Sequence, residues 1–384
     1  MDLPRRGLAW PPEHQIHAAY TLAHADSLIA RVGELLHDYL ERGPFSLENV
    51  TGGKVSKVLV KAVAPLPAAA ARYAADAMTQ LRAVIEHVIF AEVEYALGRK
   101  LTDDEERAIE MPALASEAKF AEWLKNKRRR TLPPLRDGEP LVDRLRLLQP
   151  YQRRDFDEHP MRVLAEHTNL AKHRTPAVVT TRLGRVVLDR ATPSITTMPG
   201  GPVRDGDVLA TGPADVRVPV TVWPEVSIQR PHTGTWHIVM KELGWLEEWV
   251  RTTAVPYLIA GTRDVAQLPP GLDITVGHSD VRVALSAASG QPALKRSERR
   301  IMAATARQGL TETLALHRVR VDPEVIRAWL DGLSDDVVMA AAASLQTDGD
   351  LRELDLRVRE MLAKASAVSG DDGSGSEQTG IPNS

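Results

Sequence analysis

Seven apolar residues, Tyr73, Ala77, Leu81, Val84, Val88, Ala91 and Tyr95, recur at steps of three or four through Ala68 to Leu97. That period marks one face of an α-helix. Gly98 ends the stripe, as glycine does where a helix terminates in left-handed backbone. A helix this long cannot bury its own apolar side, so other elements must lie along it. The first half of the chain is therefore expected to be a helical assembly built around this segment.

The neighbouring sequence supplies partners. Between residues 13 and 41, Ile16, Tyr20, Ala23, Leu28, Val32, Leu35 and Tyr39 keep a helical period until Gly43-Pro44 breaks it. Lys54 to Val63 has the β-branched, alternating look of a short strand closed by Pro65 and Pro67. Two short helices are expected in 102–130, the first capped at Thr102-Asp103-Asp104, followed by helices over Leu141–Leu148 and Pro160–His173. Thr175-Pro176 stops the last of these, since proline disfavours helix in the residue before it.

Beyond that point the texture changes. Ala177–Thr181, Arg185–Leu188, Val216–Val222 and Asp273–Val276 are rich in valine, isoleucine and threonine and read as strands, with turns at Leu183-Gly184 and Asp205-Gly206. A helix over Trp236–Ile259 interrupts them, and helices return from Lys295, with starts at Asp322-Pro323-Glu324 and Ser334-Asp335-Asp336. The expected fold class is α+β. It comprises a helical domain at 1–175, a mixed, β-rich domain at 176–292, C-terminal helices at 293–368 and a disordered Gly, Ser and Asp tail at 369–384.

Composition removes several chemistries. The absence of cysteine excludes disulfides, thiolate metal sites and a cysteine nucleophile. A net charge of −3 gives no global pull toward polyanions, so nucleic-acid binding must come from a local patch. The alanine-rich run near Ala68 is broken by Arg72 and Asp76, and no apolar stretch is long enough to span a bilayer. Met1-Asp2-Leu3-Pro4-Arg5-Arg6 lacks the features of a secretory signal, so a cytoplasmic protein without membrane partners is expected. Gly52-Gly53-Lys54 lacks the upstream glycine and following Ser/Thr of a phosphate loop, and no Gly-x-Ser-x-Gly elbow occurs. His14, His17 and His24 fall within about 80° of one another on the first helix, but no glutamate is flanked by paired histidines. Neither a metal nor a cofactor is expected.

The candidate chemistry lies on the long helix, in Leu81-Arg82-Ala83-Val84-Ile85-Glu86-His87. Histidine moves a proton near neutral pH and arginine grips a phosphate, a pair suited to phosphodiester cleavage. The spacing of Arg82 and His87 resembles the signature of the HEPN ribonucleases, helical proteins in which arginine and histidine of paired subunits form a metal-independent RNA-cleaving site. The resemblance implies catalytic roles for Arg82 and His87, RNA as partner and a homodimer. On one helix these side chains stand about 140° apart, and Arg82 with Glu86 also makes an ordinary ion pair one turn apart.

A wider pattern joins Leu81-Arg82 and Glu86-His87 to Leu148-Gln149-Pro150-Tyr151 and to Asn169-Leu170-Ala171-Lys172-His173-Arg174. Over about residues 13 to 175 it resembles an uncharacterised actinobacterial family with a helix reading His-Asn-Leu-Arg-x-x-Leu-Asp-His and a later Asn-x-Asp-Lys-His-Arg. Here Thr79 and Gln80 replace His-Asn, Glu86 replaces Asp and Ala171 replaces the second Asp. Asn169, Lys172, His173 and Arg174 form a candidate phosphate-binding set, although cations at a helix C-terminus are also favoured by the dipole alone. Lys125-Asn126-Lys127-Arg128-Arg129-Arg130 is a dense basic run suited to phosphate backbones, or to a solvated helix end. Val321–Leu330 resembles the second helix of helix-turn-helix proteins, with Arg320 and Leu316 departing from that motif's turn. The expected function is a metal-independent ribonuclease; the alternative is a non-enzymatic regulatory or scaffold protein reaching DNA through its C-terminal helices.

Overall fold

The computed structural model describes residues 10–288, 290–346 and 351–371. The fold is α+β, and the chain divides into two compact units, residues 1–294 and 295–384.

The first unit is organised on α1 (Ile16–Glu41) and α2 (Ala68–Leu97), which pack along each other. Ala18, Ala19, Ala25, Ala70, Ala74 and Ala77 are all fully buried, and small side chains of this kind let two backbones approach closely. Leu22, Ile29, Met78, Leu81, Ile85 and Ile89 fill the remaining space. Between the two helices the chain makes a hairpin of β1 (Phe45–Gly52) and β2 (Val55–Val63), turning at Gly53 in left-handed backbone, φ +62°.

Short helices α3 (Asp103–Glu106), α4 (Glu117–Leu124), α5 (Lys127–Arg130) and α6 (Pro140–Leu147) lead to α7 (Pro160–His173), which packs on α2. Six strands follow: β3 (Val179–Leu188), β4 (Thr196–Thr197), β5 (Gly201–Pro202), β6 (Val208–Pro213), β7 (Val220–Gln229) and β8 (Trp236–Ile238). With the hairpin they form two antiparallel four-stranded sheets, ordered β1-β2-β6-β4 and β5-β3-β7-β8. Val60, Leu183 and Leu209, from both sheets, share a small apolar cluster. Tyr39 ties helix to sheet: its hydroxyl donates to Ala64 O at 2.7 Å and lies 2.7 Å from Thr181 Oγ1.

The strands return to the helices through α8 (Val239–Trp249) and α9 (Val255–Ala260), joined by a wide turn at Val250–Ala254. Pro256 has no N–H to donate to the carbonyl four residues earlier, and the widened turn absorbs that loss. Arg251 braces it from inside, donating to Glu247 at 2.6 Å and Leu268 O at 2.8 Å. Leu243, Leu246 and Leu258, together with Val226 and Ile228 of β7, join the same core as α1 and α2. A short helix, α10 (Val281–Ala287), completes the unit.

The second unit holds most of α11 (Ala293–Ala315), then α12 (Pro323–Asp331), α13 (Asp335–Ser344) and α14 (Leu351–Asp371). Leu310, Leu314, Ile326, Trp329, Leu330, Val338 and Leu362 form its core. Arg307 fastens the α12–α13 corner, donating to Leu330 O at 3.2 Å, Leu333 O at 2.7 Å and Asp335 at 2.8 Å.

Several local expectations need correction. Asp273–Val276 is not a strand: the Asp273 carboxylate accepts from the Thr275 amide at 2.8 Å and bends the chain just after Pro269-Pro270-Gly271. Val216–Val222 contributes only its end, because β7 starts at Val220, after Pro219. Leu183-Gly184 is a bulge inside one continuous strand and not a turn. A Cβ on Gly184 would lie 3.1 Å from Trp223 O, which is why glycine serves there. Trp236 begins a strand and the helix starts only at Val239. β1 was not anticipated at all. Of the expected disordered tail, 369–371 belong to α14 and 372–384 lie outside the described residues.

Two histidines in this core make stability acid-sensitive. His159, 4% exposed, accepts from the Met161 amide at Nδ1 and meets Trp249 edge-on; His167, 2% exposed, finds no hydrogen-bond partner for either ring nitrogen among the described residues. Burial pushes each down to about 3, with Arg153 adding to the shift at His159, and His232, Arg230 and His237 adding to it at His167. The unfolded chain protonates these rings near 6.5 while the native chain resists until about 3. Stability is therefore complete above about pH 6.5 and falls as pH drops through that window, by up to about 1.4 kcal/mol per histidine per pH unit. In urea unfolding at pH 7, 6 and 5, His167→Leu should show a clearly shallower acid loss than the parent chain. An unchanged pH slope would refute this assignment.

Candidate functional site

On α2, Arg82 and His87 turn to different neighbours. Arg82 Nε donates to Glu86 at 3.0 Å and its Nη1 donates to Thr168 Oγ1 of α7 at 3.0 Å, so this side chain, 16% exposed, cross-links two helices. His87 is exposed and sits beside His17 of α1, with ring centroids 6.1 Å apart. The angular separation fixed by the five-residue step survives in the tertiary structure: one chain does not converge the pair on a single cleft.

The histidines of α1 are likewise divided among tasks. His14, in the turn before α1, places Nε2 2.7 Å from Glu92 and stacks on Tyr95 at 4.1 Å. His17 is held below its ordinary value, first by burial and then by the nearby His87 and His14 rings. Among the described residues no group of three or more His, Asp or Glu side chains is placed to hold a metal.

Asn169, Lys172, His173 and Arg174 occupy the last turn and end of α7, and all are exposed. The three basic residues have no ion-pair partner among the described residues. Thr168, the residue that receives Arg82, is buried at the α2–α7 contact, whereas Asn169, next to it in sequence, points to solvent.

The basic run after α4 is divided by burial. Arg129 is 5% exposed: Nε donates to Ala108 O at 3.1 Å, Nη1 to Trp123 O at 2.8 Å and Nη2 to Glu110, while its guanidinium lies 3.9 Å from the centre of the Trp123 ring. Trp123 Nε1 in turn donates to Glu110 at 2.9 Å. The Asn126 side chain caps α5 by accepting from the Arg128 amide at 3.0 Å. Lys125, Lys127, Arg128 and Arg130 point outward from this anchored turn with no side-chain partner among the described residues. Sequence reading saw five basic residues and one asparagine in a row; the single inward arginine that gives the others a fixed base has no signature in composition.

Sequence reasoning also passed over Arg230. Its Nε and Nη2 bind Glu242 at 2.6 and 3.0 Å, its Nη1 binds Glu158, and the group lies 5.1 Å from the centre of the Trp245 ring. Residues from three separate stretches meet there, which no local spacing announces. In the second unit, α12 buries Ile326, Trp329 and Leu330 and leaves Arg327 exposed in a 2.7 Å pair with Glu324. Leu316 to Asp322 separates α11 from α12, longer than the three or four residues of a helix-turn-helix turn.

Removing the anchor should cost far more than removing a neighbour. Arg129→Ala leaves two carbonyls without their donor and removes the guanidinium from the Trp123 ring, and is expected to lose about 2–4 kcal/mol in urea unfolding. Arg128→Ala should stay within about 0.5 kcal/mol of the parent. Equal effects of the two substitutions would show that Arg129 is not the anchor.

Comparison with protein-family models, with curated proteins and with solved structures returns no match to this chain.

Proposed function

We propose that this protein binds nucleic acid, RNA in the first instance, through the phosphate backbone at the Lys125–Arg130 turn. One observation carries the reading: Lys125, Lys127, Arg128 and Arg130 are exposed and unpaired on a turn whose base is fixed by buried Arg129. With Lys119 they make five exposed cations against one exposed carboxylate, Glu122, over residues 119–130, a local charge opposite to that of the whole chain. A turn fixed at its base loses little backbone freedom on meeting phosphates, and each phosphate neutralised releases counterions, so the attraction is strong at low salt and independent of base sequence. Lys172 and Arg174 at the end of α7 are further unpaired cations available to a strand. In this reading the protein is regulatory, and the α2 helix serves the fold.

Fluorescence anisotropy with a labelled single-stranded RNA between 50 and 200 mM salt tests it. Four phosphate contacts predict a slope of about −3 in log affinity against log salt. Lys127→Ala/Arg128→Ala/Arg130→Ala should reduce that slope by about 2 while leaving stability intact. Absence of binding at 50 mM salt, or the parent slope in the triple variant, would rule the reading out.

Metal-independent RNA cleavage is the second reading, favoured by the exposed His87 beside His17. A ring kept neutral by burial can accept the ribose 2′-hydroxyl proton while a protonated partner donates to the leaving oxygen, which completes the cleavage without any further reagent. His17 would be the base and His87 the acid. Arg82 faces α7 and is engaged by Glu86 and Thr168, so the phosphate-holding role that the HEPN resemblance implies for it in a homodimer would require it to leave those partners. RNA nicking in EDTA that is lost in both His17→Ala and His87→Ala, with circular dichroism unchanged, would establish this reading. An intact substrate across several RNAs would leave binding as the function.

A further inference from the structure

An open cleft of about 600 Å3 lies between the Arg153–Glu158 segment, the edge strand β8 and the first turn of α8. Its volume is within the range of small-molecule sites, and it draws on none of the residues of the basic turn.

The floor is rigid. Arg230, 3% exposed, is clamped by Glu242 and Glu158 and lies against Trp245. Both carboxylates are thereby engaged, and the Glu158 carboxyl is held below its usual range by Arg230. The rim carries the opposite excess. Arg153 and Lys241 line the cleft, are exposed and have no partner among the described residues. His237 stands beside them, its Nδ1 3.9 Å from Glu242. One buried cation facing two carboxylates, plus two unpaired cations, leaves the cleft net positive.

Trp236 and Trp245, both half-buried, form apolar walls. Each indole has a guanidinium near its ring, Arg182 for Trp236 at 5.1 Å and Arg230 for Trp245 at 5.1 Å. α8 begins at this rim with no side-chain cap from Ile238, and amides of an uncapped first turn favour an anion. Glu242, the acidic group in that turn, has both carboxylate oxygens engaged by Arg230.

We propose that this cleft binds a mononucleotide-sized ligand: a planar ring lying against the Trp236 and Trp245 walls, and one phosphate held by Arg153, Lys241 and the start of α8. A ring without the phosphate leaves both cations unsatisfied, and phosphate alone leaves the indole walls wet, so the two parts are required together.

Isothermal titration of the full chain with adenosine monophosphate tests this. Saturable binding is expected, with adenosine and inorganic phosphate each at least about tenfold weaker. Lys241→Ala and Arg153→Ala replace exposed side chains and should leave circular dichroism unchanged, yet each should weaken the nucleotide about five- to tenfold. Trp236→Ala should reduce the advantage of adenosine monophosphate over inorganic phosphate. Arg128→Ala, on the basic turn, should leave the titration as in the parent, which separates this site from the nucleic-acid surface. No heat at millimolar nucleotide, parent affinity in both cation variants, or phosphate binding as tightly as the nucleotide would each overturn the proposal.

Discussion

The close approach of α1 and α2 is the condition for everything else in the first unit. It rests on alanines: Ala18, Ala19 and Ala25 on one helix meet a surface that carries Ala70, Ala74 and Ala77 on the other, all without solvent exposure. Larger residues at those positions would force the backbones apart, and a packed core yields little to such insertions. With the pair fixed, the far side of α2 is free for α7 and its end for α8 and α9. Gln15, fully buried, reinforces the joint by donating to Val88 O at 3.1 Å and to Glu92 at 3.0 Å. Glu92 also faces Arg144, which donates to the carbonyls of Leu258 and Ile259 at the end of α9. A polar line thus runs from the start of α1 through α2 to α9 inside the core.

How much of this was legible follows from the range over which each determinant acts. The period of Tyr73 to Tyr95 is local and located α2 to its last residue, and the proline and acidic starts at Asp322 and Ser334 located α12 and α13. Strands were harder, because their partners lie elsewhere in the chain. Phe45–Gly52 has Glu48, Asn49 and Thr51 among its residues and little apolar alternation; it is a strand because Val55–Val63 folds back on it. Val216 and Val218 have the composition of a strand, yet Pro219 delays pairing until Val220. The candidate site divides the same way. The opposed directions of Arg82 and His87 were readable from helix geometry. The pairing of Arg82 with Thr168, across 86 residues, was not.

Arginine burial is the variable that sorts structure from chemistry in this chain. Arg129, Arg230 and Arg251 are each buried and donate to carbonyls or carboxylates of other segments, and the mostly buried Arg82 donates to Glu86 on its own helix and to the Thr168 hydroxyl of α7. Guanidinium suits this work, since its planar donors satisfy several acceptors at once and its charge is weakly hydrated. A buried arginine of this kind organises the loops that meet at it, and the cost of its desolvation is offset only while every partner stays in place.

That dependence explains where the unpaired cations are found. Arg128 and Arg130 stand next to Arg129, and Arg153 and Lys241 stand at the rim of the Arg230 clamp. In both places an inward guanidinium consumes the nearby carboxylates, Glu110 in one case and Glu158 with Glu242 in the other. The outward cations beside it have no ion-pair partner among the described residues. Both places thereby carry local positive charge on a chain whose total charge is −3, and charge of that sign favours an anionic partner.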